Sequence, residues 1–305
     1  MLAGSQASAQ TSRTIKLVVP FAAGGGADIL ARIVGEQMGR AQGMTVIVEN
    51  RPGAGTVIGT EAVARAEPDG SILLIGGNSF VINPNLRKVN YDPLASFEPV
   101  CLLSRQPNGI AVNSTSTYRT VADLINAARA NPDKLTMGFN GPATSQHIGF
   151  EMFRRVAKVN MIPVPFAGAA PAVNSLMGGH VTSLFVSYAA ATAQVQANKL
   201  RMLAVASRER IETLPELPTI TEAGFGEVDE ESWFGVVAPA KTSPERLSQL
   251  ATLFSAALKA PEVKSKLAAQ ELYPVGTCGA EFGAYLRKQS NEYGRIIREA
   301  NIKGE

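Results

Sequence analysis

The sequence predicts an α/β protein of two doubly wound α/β domains, joined by a hinge and enclosing a ligand between them. Strand-like and helix-like segments alternate along most of the chain, a pattern typical of mostly parallel sheets with helices on both faces. The 305 residues are enough for about two domains of ordinary size. The alternation is interrupted once, over residues 99–113, where two apolar strand-like runs follow each other without a helix. These features together predict a clamp-shaped molecule.

The elements of the first domain are predicted from short β-branched runs and from apolar residues spaced three and four apart. Its turns contain Gly and Pro, which interrupt regular structure. The predicted elements are a strand over 15–21, a helix over 29–38, a strand over 44–48, a helix over 56–66 and a strand over 71–75.

The second domain repeats this alternation. Thr120 is expected to cap its first helix, because Asp123 follows three residues later and completes a capping box. The further elements are strands over 135–139, 161–164, 181–186 and 202–206, with helices over 144–158 and 171–177. Residues 208–231 are predicted to be irregular, with Asp229–Glu231 as a solvated linker. A strand over 232–238 and helices over 243–258 and 280–300 complete the chain.

The order of these elements predicts a discontinuous first domain, residues 10–111 plus 234–305, with the second domain inserted over 112–233. The chain then crosses between the domains near Asn113 and near Trp233, and these crossings form the hinge. In open α/β sheets, ligands bind beyond the carboxyl ends of the strands. Two such sheets facing each other place the ligand in the cleft between the domains.

Composition excludes several classes of function. Lys plus Arg number 29 against 26 for Asp plus Glu, and the basic residues are scattered, so no nucleic-acid partner is expected. Two Cys and two His are too few for the usual Cys/His zinc site, and neither a metal nor a cofactor is expected. No apolar stretch reaches the roughly 18 residues that a membrane helix needs. The glycines of Gly53–Gly59 are spaced one residue wider than the dinucleotide-binding fingerprint, which argues against a nucleotide.

The N-terminal residues indicate export. Ala7-Ser8-Ala9 fits the A-x-A pattern of a signal-peptide cleavage site, so we expect an exported protein whose signal peptide is removed or truncated. An oxidising compartment would allow Cys101 and Cys278 to pair. Cys101, however, lies in an apolar run and is expected to be a core residue, so the sequence leaves the pairing open.

Three loops between a strand and a helix are candidate ligand contacts. The loop Pro20–Asp28 contains three glycines whose N–H groups can approach an anion at a helix N-terminus, and its last residue suits a helix cap. We predict that it cradles a carboxylate. The loop Asn140–His147 offers hydroxyls and helix amides from the second domain, although a simple Ser/Thr cap explains it equally well. Gly76–Ser79 ends a third strand and is polar.

Catalysis has little support in the sequence. It contains neither a G-x-S-x-G nor an H-E-x-x-H pattern. His147 is the one plausible general base, and it fits a satisfied helix residue equally well. An α/β enzyme acting on a small organic acid therefore stays as the alternative function.

Several segments resemble a known family. They are LVVPFAAGGGADILAR, VIVENRPGAG, YDPLASFEPV, VPFAGAAPAVNSLMGGHV, KLRMLAVAS, LPELPTITEAGF and SWFGVVAPA, in order from about Ile15 to the C-terminus. The chain thereby resembles the Bug-type periplasmic solute-binding proteins, which serve tripartite tricarboxylate transporters. The resemblance implies a periplasmic, hinge-closing binding protein without enzymatic activity, expected to be a monomer, whose partners are membrane permease subunits. It also implies a small organic acid ligand, held by loop amides, hydroxyls and ordered water.

Carried over onto this sequence, the resemblance implies ligand contacts in both domains. Those of the first domain would be Phe21, Ala22, Ala23, Gly24, Gly25, Asn78 and Ser79. Those of the second would be Asn140, Thr144, Ser145, His147, Phe166, Ala169 and Ser187.

The kind of ligand is predicted from the absence of negative charge among the residues expected to line the cleft. Val186 and Ser187 supply no negative charge to balance an amine, and a buried ammonium group without a counter-charge is costly. Phe21, Phe166 and Tyr188 would suit a flat or flexible apolar body. We therefore expect a carboxylate without an amine, a dicarboxylate before a monocarboxylate. Terephthalate is one candidate, with a linear aliphatic diacid close behind.

Overall fold

The strands and helices follow the alternation that the sequence predicts. The computed structural model describes residues 14–141, 144–211 and 214–303, so the predicted cleavage site at 7–9 lies outside the described residues. The strands are β1 (Thr14–Val19), β2 (Thr45–Asn50), β3 (Ile72–Gly77), β4 (Phe97–Asn113), β5 (Thr136–Phe139), β6 (Ile162–Pro165), β7 (Ser183–Ser187), β8 (Leu200–Val205), β9 (Glu231–Pro239) and β10 (Tyr273–Cys278). The helices are α1 (Gly26–Gln42), α2 (Val57–Ala64), α3 (Asn78–Leu86), α4 (Val121–Ala130), α5 (Ser145–Val156), α6 (Ala169–Met177), α7 (Tyr188–Gln196), α8 (Pro244–Lys259), α9 (Pro261–Ala268) and α10 (Ala280–Glu299).

The two strand-like runs between residues 99 and 113 form one strand, β4, of 17 residues. Its first part pairs antiparallel with β9 and β10, and its last part pairs antiparallel with β7 and β8. The change of neighbour falls at Pro107, opposite Glu231, and Asn108, opposite Ser187. β4 therefore connects the two halves of the sheet, whose order is β2-β1-β3-β9-β4-β7-β5-β6.

Parallel pairing is confined to the outer parts of this sheet. β1 pairs parallel with β2 and β3, and β5 pairs parallel with β6 and β7. The expectation of mostly parallel sheets is wrong at the centre, because β9 brings the chain back between β3 and β4 and runs antiparallel to both. The limits of the two domains, and the hinge at their crossings, stay predictions.

Helices cover both faces of the first half of the sheet. Leu17 packs with Leu30 and Phe254 against α1 and α8, whereas the next residue of β1, Val18, belongs to a second core with residues of α3 and α10. Successive side chains of a strand point to opposite faces, so this segregation follows directly from the alternating register of β1. On the second half of the sheet, one face has a separate core with α6 and α7, whereas the other face, with α4 and α5, continues the core that contains Val18.

Cys101 and Cys278 form a disulfide bond between neighbouring strands. The two residues lie opposite each other in the antiparallel pair of β4 and β10. Cys101 is fully buried, as its apolar run predicts, and it is also paired. The two cysteines are 177 positions apart in the sequence, and the pairing of β10 with β4 brings them together. The sequence alone does not supply this pairing.

Within the described residues, no helix is both long enough and apolar enough to span a bilayer.

Candidate functional site

A cavity of about 400 Å³ lies where the carboxyl ends of β1 and β3 meet the beginning of α5. This is the position at which open α/β sheets bind ligands. It is lined by Phe21, Gly55, Thr56, Asn78, Ser79, Ile82, Asn83, Arg87, Gln106, Thr144, Ser145, Gln146, Ser232 and Phe234. A larger cavity, of about 810 Å³, lies beside the N-terminus of α4, away from these strand ends.

The wall at α5 begins with Thr144, which caps the helix. Its hydroxyl oxygen accepts a hydrogen bond from the backbone N–H of His147 at 3.2 Å, and the hydroxyl donates to the carbonyl of Gly141 at 2.9 Å. The helix-cap interpretation of this loop is therefore correct. Ser145 and Gln146 follow as the first residues of the helix, and both side chains are buried against the cavity.

A hydrogen-bonded cluster joins α5 to the two central strands. The amide nitrogen Nε2 of Gln146 donates to Oδ1 of Asn108 on β4 at 3.1 Å and to Oγ of Ser232 on β9 at 3.2 Å. The hydroxyls of Ser145 and Ser232 lie 3.4 Å apart. Sequence reasoning missed Gln146 and Ser232 as lining residues, although Gln146 lies within a loop it had selected.

The wall at α3 is built from hydroxyls and amides. Thr56 Oγ1 donates to Ser79 Oγ at 3.0 Å, and Asn83 Nδ2 donates to the carbonyl of Gly55 at 2.7 Å. Gly55 has a φ of +62°, and a Cβ there would stand 3.7 Å from Nη1 of Arg87. Sequence reasoning rejected Gly53–Gly59 as a nucleotide site and therefore missed Thr56. It missed Asn83 and Arg87 because it did not predict α3.

The loop between β1 and α1 reaches the cavity through Phe21, whose ring meets that of Phe234 edge-on at 6.0 Å. The N–H of Gly24 is already engaged, because it donates to Oδ2 of Asp28 at 2.9 Å. Asn50 Nδ2 donates both to Oδ1 of Asp28 and to the carbonyl of Phe21, and thus fastens the loop to β2.

Asp28 supports this loop in a different way from the predicted cap. The capping position of α1 is Gly25, and Asp28 lies in the first turn, buried, next to Arg32. Burial alone would raise the pKa of Asp28, but hydrogen bonds from Arg32, the Gly24 amide and Asn50 outweigh it and hold the pKa below its usual value. The ionised carboxylate of Asp28 therefore already accepts the hydrogen bond from the Gly24 N–H, which the anion-cradle prediction assigns to the ligand.

The predicted contacts divide into two sets. The structure places Phe21, Asn78, Ser79, Thr144 and Ser145 around the cavity. The residues outside its lining are Ala22, Ala23, Gly24, Gly25, Asn140, His147, Phe166, Ala169 and Ser187. As ligand contacts, both sets stay predictions.

His147 packs inward rather than into the cavity. Its ring stacks on that of Phe139, with centroids 4.4 Å apart and the planes nearly parallel. Burial, together with the nearby charge of Arg154, lowers the pKa of His147 to about 4, so the ring is neutral at pH 7. The interpretation as a satisfied helix residue fits this packing.

The acidic run Asp229–Glu231 is not a solvated linker, and that prediction is wrong. Glu230 is 1% exposed, and its Oε1 accepts a hydrogen bond from the Tyr293 hydroxyl at 3.2 Å. Burial raises the pKa of Glu230 well above its usual value. Glu231 forms an ion pair with Arg105 at 3.6 Å, yet burial raises its pKa to about 7. The run is covered because β9 starts there, at the centre of the molecule.

Charge in the cavity favours an anion. Among its lining residues Arg87 is the one charged side chain, and none carries a carboxylate. Hydroxyls and amides supply the other polar groups. Within the described part of the chain, no group of three or more His, Cys, Asp or Glu side chains is arranged to hold a metal ion.

The fold and this cleft define a periplasmic binding protein, and the solved structures similar to this one are of that class. One of them, R. palustris Rpa4515 with adipate, has a TM-score of 0.82 and 30% identity, covering 95% of this chain and 98% of that chain. Another, MatC from Rhodopseudomonas palustris with bound malate, has a TM-score of 0.77 and 26% identity, covering 93% of this chain and 98% of that one.

The chain belongs to the tripartite tricarboxylate transporter family of receptors, TctC, whose family model matches residues 30–302. It is 33% identical over 293 residues to the UPF0065 protein in the tcbD-tcbE intergenic region of Pseudomonas sp. strain P51, covering 95% of this chain and 87% of that relative. It is 30% identical over 297 residues to protein BugT of Bordetella pertussis, covering 96% of this chain and 90% of that relative. The resemblance to Bug-type receptors is therefore confirmed. The protein is a solute-binding receptor and not an enzyme, so the enzyme alternative is wrong.

Proposed function

We propose that this protein captures a small dicarboxylate without an amine group in the periplasm and delivers it to the permease of a tripartite tricarboxylate transporter. The observation that carries this proposal is the cavity of about 400 Å³, which is lined by hydroxyls, amides and one guanidinium but by no carboxylate. An anion gains hydrogen bonds from such a wall, whereas an ammonium group finds no counter-charge in it.

The size and the apolar part of the lining support a short diacid. Phe21, Ile82 and Phe234 contribute apolar surface, which suits a methylene chain or an aromatic ring between two carboxylates. Relatives of known ligand support the same class, because adipate and malate are the molecules in Rpa4515 and MatC. Adipate and terephthalate are the aliphatic and aromatic candidates.

Delivery to a permease is proposed from the family, since its receptors serve tripartite transporters. Deleting the gene from its source bacterium should abolish uptake of the labelled acid at micromolar concentration, and supplying it again should restore uptake. Export is tested in the same cells by fractionation, which should find the mature protein in the periplasmic extract.

Calorimetry of the purified protein tests the ligand class directly. Succinate, malate, adipate, terephthalate, citrate, aspartate and glutamate are titrated in turn. We expect a dicarboxylate without an amine to bind most tightly, and Ser145→Ala to weaken it about 10- to 100-fold, the effect of losing one hydrogen bond to a charged group. Ser248→Ala, at an exposed serine of α8 outside the cavity lining, is the matched control and should bind as the wild type does.

Two results would contradict the proposal. Tight binding of aspartate or glutamate alone would overturn the amine-free ligand. Failure of every carboxylate in the panel to bind would overturn the ligand class.

A further inference from the structure

Arg87 is placed at the cavity by the end of α3. The helix ends at Leu86, and the backbone N–H of Arg87 still bonds to the carbonyl of Asn83 at 3.0 Å, while its φ of −149° turns the chain into an extended conformation. The side chain then passes beside Gly55 and lines the cavity.

The charge of Arg87 is not balanced within the described residues. Its guanidinium has no ion pair there, and its buried Nε has no hydrogen-bond partner. Two other arginines of the same half of the molecule, Arg32 and Arg65, are paired with Asp28 and Glu61. A guanidinium charge without a counter-charge is costly to bury, so an anionic ligand in the cavity would balance it.

The opposite wall has no charge to offer. Thr144, Ser145, Gln146 and Ser232 are neutral, so a carboxylate there would be held by hydrogen bonds alone. A guanidinium presents paired donors that match the two oxygens of a carboxylate. The two walls thus differ in chemistry although one cavity contains both.

We propose that Arg87 is the specificity-determining residue of this cavity: it binds one carboxylate of a dianionic ligand while the α5 wall binds the other. The inference rests on the proposed function, that the cavity holds a carboxylate. It adds that diacids are selected over monoacids of the same length, and that Arg87 is the origin of this selectivity.

The test compares matched pairs of acids that differ by one carboxylate. The pairs are succinate with butyrate, adipate with hexanoate, and terephthalate with 4-methylbenzoate. Calorimetry is performed on the wild type, Arg87→Gln and Arg87→Lys, with Arg65→Gln as the control because Arg65 follows α2 directly and lies outside the cavity lining. Thermal melting of each protein without ligand checks that it is folded.

We expect the wild type to prefer at least one diacid over its monoacid partner by about 10- to 100-fold. Arg87→Gln should lose this preference by weakening the diacid alone, Arg87→Lys should retain part of it, and Arg65→Gln should retain all of it. If the wild type binds a diacid and Arg87→Gln binds it equally well, the role of Arg87 is overturned while the proposed function stands. If no diacid binds the wild type, both are overturned. Loss of diacid and monoacid affinity to the same extent in a folded Arg87→Gln would also overturn the selectivity role.

Discussion

The hydroxyl of Tyr293 donates a hydrogen bond to Oε1 of Glu230 at 3.2 Å, and both side chains are buried. The same hydroxyl accepts a hydrogen bond from Asn78 at 2.7 Å, and Oδ1 of Asn78 accepts the backbone N–H of Trp233 at 3.0 Å. This network connects α10, α3 and the start of β9, and through Asn78 it reaches the cavity lining.

Tyr293→Phe should therefore destabilise the protein by about 1–3 kcal/mol, because it removes the hydroxyl that donates to Glu230 and accepts from Asn78. Urea unfolding followed by circular dichroism measures the effect. Tyr118→Phe, at a half-buried tyrosine away from this network, is the control and should cost less. Equal stability of Tyr293→Phe and the wild type would show that the network contributes nothing to folding.

Glu231 should make the stability fall as pH rises from about 4.5 to about 7. Its pKa in the folded protein is about 7, above its ordinary 4.5, so in this interval the folded state keeps a proton that the unfolded state releases. Glu230 acts in the same direction. His147 acts oppositely, because its lowered pKa makes stability fall as pH decreases from about 6.5 to about 4.

Glu231→Gln separates these effects. The unfolding free energy of the wild type minus that of the variant should decrease between pH 5 and pH 7.5, by on the order of 1–3 kcal/mol, and then level off. The contribution of His147 is common to both proteins and cancels in the difference. Glu230 loses in the variant the Glu231 charge that helps to raise its pKa, and this loss adds to the decrease. A difference that does not change with pH would contradict the raised pKa of Glu231.

Asp28→Ala should release the loop between β1 and α1. The Gly24 amide then loses its acceptor, so its hydrogen exchange should accelerate by about tenfold or more, and the protein should lose about 1–3 kcal/mol of stability. Glu36→Ala, which removes exposed ion pairs on the same helix, is the control and should have little effect on either. Unchanged exchange at Gly24 would mean that the loop holds its shape without Asp28.

Replacing both Cys101 and Cys278 by Ala should lower the unfolding free energy by about 2–5 kcal/mol, the usual range for a disulfide that closes a long loop. Reduction of the wild type should lower its melting temperature in the same way and leave the double variant unaffected. The disulfide bond would be contradicted if treating the wild type with reductant under denaturing conditions left its melting temperature unchanged.

A bound dicarboxylate should reduce the radius of gyration measured by small-angle scattering. The expectation follows from the predicted hinge, in which a ligand that contacts both walls stabilises the closed form. The control is the same measurement with malonamide, which carries no charge. A constant radius at saturation would argue against closure.

Local patterns were sufficient to predict most of the elements, because the helix and strand periods depend only on residues that are close together in the sequence. α1 and α5 are amphipathic, β1 is rich in apolar β-branched residues, and β3 is an apolar run that ends in glycine. α3 was not predicted, since it contains Pro84 and its apolar residues do not form a regular stripe.

Properties that depend on distant partners could not be predicted in this way. Glu230 lies in an acidic run whose composition is typical of a solvated linker. Only the packing of Tyr293 and Asn78 around it makes it a buried acid. Nothing in the sequence distinguishes Arg87 from an ordinary surface residue until Gly55 and α5 are placed around the same cavity. The resemblance identified the loops Phe21–Gly25 and Asn140–His147, but not the side chains from β9 and the end of α3 that complete the lining.

The bond between Cys101 and Cys278 turns most of the chain into a covalent ring. The ring contains every residue from 102 to 277, and therefore all of β5–β8, α4–α7 and both passages between the halves of the sheet. A protease that cuts once inside this ring opens it without producing two molecules: the fragments stay attached until the bond is reduced. In an oxidising compartment, a single nick would thus leave both walls of the cleft on one particle, which migrates as two pieces only on a reducing gel.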